Sequence, residues 1–267
     1  MTKNSRMASA RVGESPLLCR SLGCPVMLEL HQFRHSAFCL KVRMVLQAKA
    51  LSYRVVEVTP GVGQLAVFRL SGQRQLPVLV DGDTVIADSS AIARHLESVE
   101  PDPSLIPQDA RDAAQVPLIE DWADTTLAHA ARLALVQAAA SDPELRVALL
   151  PDDLPEPLRR TLAGLPGGWL QGLGEVLDQG ERAAMFTSLQ RLAAAVETTP
   201  WLVGDQLSMA DLAVAAQLSL LRFPASAGDG LAGRGVPGLS DHPQLQPLFA
   251  WRDRLETRLF QVDPAAV

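Results

Sequence analysis

Two short stretches of this chain carry groups that could do chemistry, and both stand at expected helix starts. The first is Ser36-Ala-Phe-Cys39. Ser36 is a good N-cap, because its oxygen can accept from a backbone N–H of the first turn. Cys39, Val42 and Leu46 share one helical face, which predicts a buried Cys39. The thiolate of a cysteine is a nucleophile, and a helix N-terminus adds positive potential that favours an anion. The second stretch is Asp88-Ser89. Unpaired N–H groups at a helix start, together with a hydroxyl, form a ready site for a carboxylate. Arg34 and His35 flank Ser36. His35 reads as a solvated turn residue, and Arg43, further along the helix, as one half of a structural ion pair.

The elements that position these groups follow from periodicity. Residues 28–33 alternate apolar and polar, as a strand should. Ser36 then opens a helix with Phe38, Val42, Val45 and Leu46 as its stripe. Residues 53–58 form a second strand, 59–63 a loop and 64–70 a short helix. Val78-Leu79-Val80 and Thr84-Val85-Ile86 are two strands, and Asp81-Gly82 between them signals a type I′ turn with positive φ at both central positions. Pro77 heads its strand, where a missing N–H does little harm. A helix with Ile92 and Leu96 on one face starts at Asp88-Ser89, and 102–107 is a linker.

Past the linker the strand signals vanish. Helices are expected over 115–140, 181–197, 208–222 and 245–260, so this half is all-α. Ser208 and Asp211 have capping-box spacing, and Leu207 and Leu212 the offsets of a hydrophobic staple. Asp211 is accordingly a structural residue. Two Pro/Gly-rich segments, 141–180 and 224–243, interrupt the helices. Segments this long are unusual in a compact domain and tend to be functional or mobile. Short apolar pieces in the first predict broken helices.

Composition narrows the function classes. Of 267 residues, 48% are apolar and the net charge is −6, so the chain is globular with no electrostatic reason to hold nucleic acid or an anionic membrane. No apolar run approaches the roughly 20 residues that span a bilayer. The run from Leu212 to Leu221 is broken by Gln217 and Ser219. Cys19, Cys24 and Cys39 are too few for a disulfide scaffold and lack metal-ligand spacing, which fits a reducing, cytoplasmic setting without a metal. Residues 1–26 carry Lys3, Arg6, Arg11 and Arg20 against Glu14, without periodicity. They are expected to be a disordered extension, with Met27 as an alternative first residue.

The proline-led hairpin feeding a Ser-initiated helix, followed at the right distance by Trp201-Leu-Val-Gly-Asp-Gln-Leu-Ser-Met-Ala-Asp-Leu212, resembles the glutathione transferase family. The resemblance covers about residues 27–260. It implies a thioredoxin-like α/β domain over 27–107 and an all-α helical-bundle domain over 108–262. In that family the proline is cis and the residue before it pairs its backbone with the cysteinyl unit of glutathione, while an acidic-Ser pair holds the γ-glutamyl end. These roles fall on Leu76, Pro77, Asp88 and Ser89. The family lowers the pKa of the glutathione thiol with a hydroxyl or cysteine near the start of the first helix. The single tyrosine, Tyr53, lies after that helix, which excludes the tyrosine-type subclasses. Ser36 and Cys39 remain, in the register of a thioredoxin Cys-x-x-Cys, with Ser36 at the exposed position and Cys39 at the buried one.

The resemblance implies transfer of the glutathione thiolate to an apolar electrophile by a homodimer, with glutathione as co-substrate. Gln64, Arg69, Gln73 and Arg74 are candidates for the glycine carboxylate of glutathione. Trp122, Thr125, Thr126 and His129 on the long helix are where the electrophile is expected, although Trp122 also reads as core. Two alternatives stay open. Cys39 could run thiol-disulfide or peroxide chemistry, or the chain could be a non-catalytic binding module that kept the fold. Typical family members lack inserts of the length found here.

Overall fold

The computed structural model describes residues 27–59, 61, 63–151, 154–164 and 177–260. The extension 1–26 with Cys19 and Cys24, residues 60 and 62 of the expected loop, residues 152–153 and 165–176 of the first Pro/Gly-rich segment, and 261–267 lie outside the described residues.

The N-terminal part is a four-stranded mixed sheet in the order β2-β1-β3-β4. Strand β1 (Leu28–Gln32) pairs in parallel with β2 (Tyr53–Glu57), which requires a crossover, supplied by helix α1 (Ala37–Ala48). Helix α2 (Gln64–Ser71) follows. Strands β3 (Val78–Asp81) and β4 (Thr84–Ala87) form an antiparallel hairpin, with β3 antiparallel to β1. Helix α3 (Ser89–Val99) completes this part. Leu28, Leu30, Val42, Val45, Leu46, Leu79, Ile92 and Leu96 are nearly or fully buried and belong to the main core. Each such side chain contributes about 1.5–3 kcal/mol by leaving water. A small second cluster, Val58, Val67 and Val78, lies under α2.

The hairpin turn differs from the expected one. Asp81 pairs with Thr84, so Gly82 and Asp83 are the central residues, and only Gly82 has positive φ, at 61°. A type I′ turn needs two such residues. Asp81 is held in the strand because it is buried and its carboxylate meets His95 Nε2 at 2.9 Å.

The remainder is helical: α4 (Ala110–Trp122), α5 (Ala128–Ser141), α6 (Pro143–Ala148), α7 (Glu156–Ala163), α8 (Gln179–Thr198), α9 (Met209–Leu221) and α10 (Gln246–Phe260). The helix expected at 115–140 starts earlier, capped by Asp109, which accepts from the N–H groups of Arg111 and Asp112. It also contains a π-helical turn, Ala123–Leu127, joining α4 to α5. Helix α9 is buried on nearly every side and packs on α1, so one core joins the two parts. Its start is fixed by Asp211, which accepts from the N–H and hydroxyl of Ser208 at 2.8 and 2.7 Å and from the N–H of Leu202 at 2.8 Å.

The linker is tied down. Lys49 Nζ is buried, pairs with Glu97 at 2.8 Å, and donates to the carbonyls of Glu100 and Pro103. The segment 224–243 is tied as well. Phe223 N–H donates to Arg234 C=O at 2.7 Å and Val236 N–H to Leu221 C=O at 2.8 Å, so the chain folds back on the end of α9. Gly235 permits this approach, since a Cβ there would meet Leu221 O at 2.1 Å.

Candidate functional site

A cleft of about 550 Å³ opens beside the start of α1. Ser36, Leu76, Pro77, Asp88 and Ser89 all line it, so strand-connecting segments far apart in sequence converge there. Phe33, Phe38, Val58, Gln64, Gln73, Arg74, Gln75 and Arg132 complete the wall.

Ser36 is the N-cap of α1, half-buried, with its own N–H donating to Phe33 C=O at 3.0 Å. Its Oγ accepts from Cys39 N–H at 3.4 Å. A hydroxyl that accepts in this way still has its proton to donate. Cys39, one turn on, is fully buried and absent from the cleft wall. Its sulfur accepts from Phe33 N–H at 3.4 Å. Burial pushes its thiol up, against smaller opposing effects of the hydrogen bonds from Ser36 and Phe33. A thiol so placed stays protonated and out of reach.

The second helix start is arranged differently. Asp88 is the N-cap of α3, at φ 79°, and its Oδ1 accepts from Ala91 N–H at 2.9 Å. Positive φ is uncommon outside glycine, and Asp tolerates it better than most. Asp88 is exposed at the rim, whereas Ser89 is almost wholly buried on the cleft floor. The Leu76–Pro77 bond is cis, and Pro77 is buried just ahead of β3.

Of the residues offered for the far end of a ligand, Gln64, Gln73 and Arg74 line the cleft and Arg69 does not. Arg132, from α5, also reaches it. No pattern in the sequence marks Arg132, an isolated cation on an Ala-rich helix. Trp122, Thr125, Thr126 and His129 border another cleft of about 410 Å³, against Glu181 and Met185 of α8. None of its lining residues is shared with the Ser36 cleft, so the electrophile expected there would stand apart from Ser36. A smaller cleft does adjoin Ser36's neighbours. Phe33, Arg34, His35, Glu57, Val58, Thr59 and Pro151 line it, and it shares Phe33 and Val58 with the main one. His35 is held there edge-on to Phe33 and Phe223, at 5.5 and 6.5 Å between ring centroids, instead of being solvated. Glu57 Oε1 accepts from Arg34 N–H at 2.5 Å, fixing the turn. Arg43 donates to Arg34 C=O at 3.2 Å in place of the expected ion pair.

Sequence reasoning did not foresee the burial of Lys41. Lys41 Nζ is inaccessible and meets Ser90 Oγ, Glu120 Oε1 and Asp124 Oδ2 at 2.9, 2.6 and 2.6 Å. Among the described residues, no cluster of three or more His, Cys, Asp or Glu could hold a metal, and no helix is long and apolar enough to cross a membrane.

A thioredoxin-like sheet carrying such a cleft, joined to a helical bundle through one core, defines a class that comparison with known proteins also identifies. Residues 30–104 match the model of the glutathione S-transferase N-terminal domain, and residues 156–254 that of the glutathione S-transferase C-terminal domain. The chain belongs to the glutathione S-transferase family. It is 38% identical to glutathione S-transferase 1 of Dianthus caryophyllus over 90 residues, covering 33% of this chain and 41% of that protein. It is 27% identical to FtsZ-localized protein A of Caulobacter vibrioides over 198 residues, covering 73% and 77%. A solved glutathione S-transferase from Rhodospirillum rubrum F11 superposes with a TM-score of 0.60 at 25% identity, covering 89% of this chain and 94% of that one.

Proposed function

We propose that this protein is a glutathione transferase in which Ser36 activates the glutathione thiol. The observation that carries this is the convergence of Ser36, Leu76, Pro77, Asp88 and Ser89 on one cleft. Glutathione binds with its γ-glutamyl carboxylate at the start of α3, against the N–H groups and the Ser89 hydroxyl. Its cysteinyl unit pairs with the backbone of Leu76. Gln64, Gln73, Arg74 and Arg132 are at hand for the glycine carboxylate. The thiol then lies at the start of α1, where the Ser36 hydroxyl donates to sulfur and the helix end adds positive potential. Both favour the thiolate over the thiol. The thiolate attacks an electrophilic carbon, a C–S bond forms, and the leaving group departs with its electron pair. The thiol proton is released to solvent.

The neighbouring cleft is our site for the electrophile. Its wall mixes Phe33, Val58 and Pro151 with Arg34, His35 and Glu57, which suits a substrate with an apolar body and a polar end. Chemistry through Cys39 is disfavoured by its burial. We infer a homodimer, since Leu65 and Phe68 of α2 and Leu118 of α4 are large apolar residues left exposed, and a reducing, cytoplasmic compartment from the small number of cysteines.

The pH dependence of conjugation to an activated aryl halide tests this. Wild type should keep its rate down to near-neutral pH. Ser36→Ala should lose about 10²-fold at neutral pH and recover as pH approaches the ordinary thiol value near ~8.5. An unchanged profile in Ser36→Ala would remove the proposed role. A second reading, a non-catalytic interaction module, is favoured by the long match to FtsZ-localized protein A. It expects weak or absent glutathione binding.

A further inference from the structure

We propose that Lys41 and Ser90 are positioning residues for glutathione, forming a buried strut that fixes the two ends of the cleft relative to each other. This rests on the glutathione reading above.

Lys41 belongs to α1, the helix that begins at Ser36. Ser90 is the second residue of α3, directly after Ser89. Lys41 Nζ donates to Ser90 Oγ at 2.9 Å and so joins the first part of α1 to the start of α3. The same ammonium pairs with Glu120 of α4 and Asp124 of the π turn, both at 2.6 Å. Ser90 Oγ also lies 2.8 Å from Glu120 Oε1 and 3.1 Å from Asp124 Oδ2. Gln217 Nε2, on α9, reaches the other oxygen of Asp124 at 3.5 Å.

This is more than packing requires. A lysine could be neutralised by one acid, and an apolar side chain would avoid the desolvation of three charges. The cluster instead draws together one group from each element that meets here, and the π turn carries Asp124 to Lys41. Around Lys41 the ammonium and both carboxylates are partnered, whereas Gln217 Oε1 at the edge of the cluster has no partner among the described residues. A partnered buried charge cluster favours one arrangement where apolar contacts permit several. The arrangement specified is the spacing of Ser36 from Ser89. Those residues must hold the sulfur and the γ-glutamyl carboxylate of one peptide at once. Small displacements of such groups cost binding and rate together.

Ser90→Ala tests the proposal, because it removes the strut and leaves the Lys41 ion pairs in place. Glutathione affinity by titration calorimetry, turnover at saturating glutathione and the melting temperature are read in wild type, Ser90→Ala and Ser90→Thr. Ser90→Ala is expected to melt close to wild type, to bind glutathione on the order of tenfold more weakly, and to turn over more slowly even once saturated. Ser90→Thr keeps the hydroxyl and should restore the affinity. Should Ser90→Ala not fold, Ser90→Cys, close in volume but a weak donor, repeats the measurement with the same expectation. Wild-type affinity in the folded variant overturns the proposal and leaves the transferase reading intact. A wild type that binds no glutathione overturns both.

Discussion

In the proposed mechanism one oxygen, that of Ser36, serves both the fold and the chemistry. It caps α1 by accepting from Cys39 N–H, and its proton remains to be given to a sulfur in the cleft. Cys39 has the opposite surroundings: no exposure, a neighbouring N–H and a thiol pushed up by burial. Cys39→Ala should therefore retain conjugation and cost about 1 kcal/mol of stability for the lost packing. A complete loss of activity in this folded variant would return the chemistry to the cysteine. Glu256 yields a pH-dependent prediction. It is buried, its Oε2 accepts from Ser226 at 2.7 Å, its Oε1 has no partner among the described residues, and burial holds its carboxyl above the ordinary range. A carboxyl raised on folding stabilises the folded state when protonated, and that contribution is lost as pH rises through its folded value. Glu256→Gln keeps an acceptor for Ser226 and removes the desolvated charge. Its melting temperature should match wild type in acid below the unfolded glutamate pKa and exceed it by a few degrees at neutral pH. Equal melting temperatures across that range would contradict the account.

Element by element, the sequence was legible wherever one rule governs a backbone choice. Alternation marks β1. Ser36, Asp88 and Ser208 mark three helix starts, because a cap leaves a local signature. The features that were not legible depend on tertiary partners. Lys41 looks like a solvated position between Leu40 and Val42, yet α1 is covered on nearly every side, so its charge had to find buried acids. The π turn, which holds Asp124 at Lys41, leaves no compositional trace. The shift of the hairpin turn to Gly82-Asp83 follows from the partner of Asp81, fourteen residues away. The five site residues could be named because the family motif names them, whereas Arg132 is brought in only by the packing of α5. The segment 224–243, rich in Pro and Gly, looked like a loose insert. Its backbone instead pairs with the end of α9 and sets Phe223 against His35. Gly235→Ala should break this close approach, at a cost of about 2 kcal/mol for the forced backbone shift. Chemical denaturation would show it, and a stability equal to wild type would mean that the pairing is dispensable.

For the whole molecule, one continuous core means that the cleft and the helical bundle should unfold together. The exposed Leu65 and Phe68 predict a second copy of the chain as their partner. Analytical ultracentrifugation should find a dimer that Phe68→Ser weakens, and a wild-type monomer at micromolar concentration would refute this. The central claim is narrower: this fold still binds glutathione and ionises its thiol. The most direct measurement is ultraviolet difference spectroscopy during a glutathione titration at neutral pH, with Ser36→Ala alongside. Free glutathione is then mostly protonated, since an ordinary thiol titrates near ~8.5. The account predicts a saturable thiolate band in the wild type that Ser36→Ala abolishes. No band and no saturation would contradict it, and would mean that the fold has outlived the chemistry.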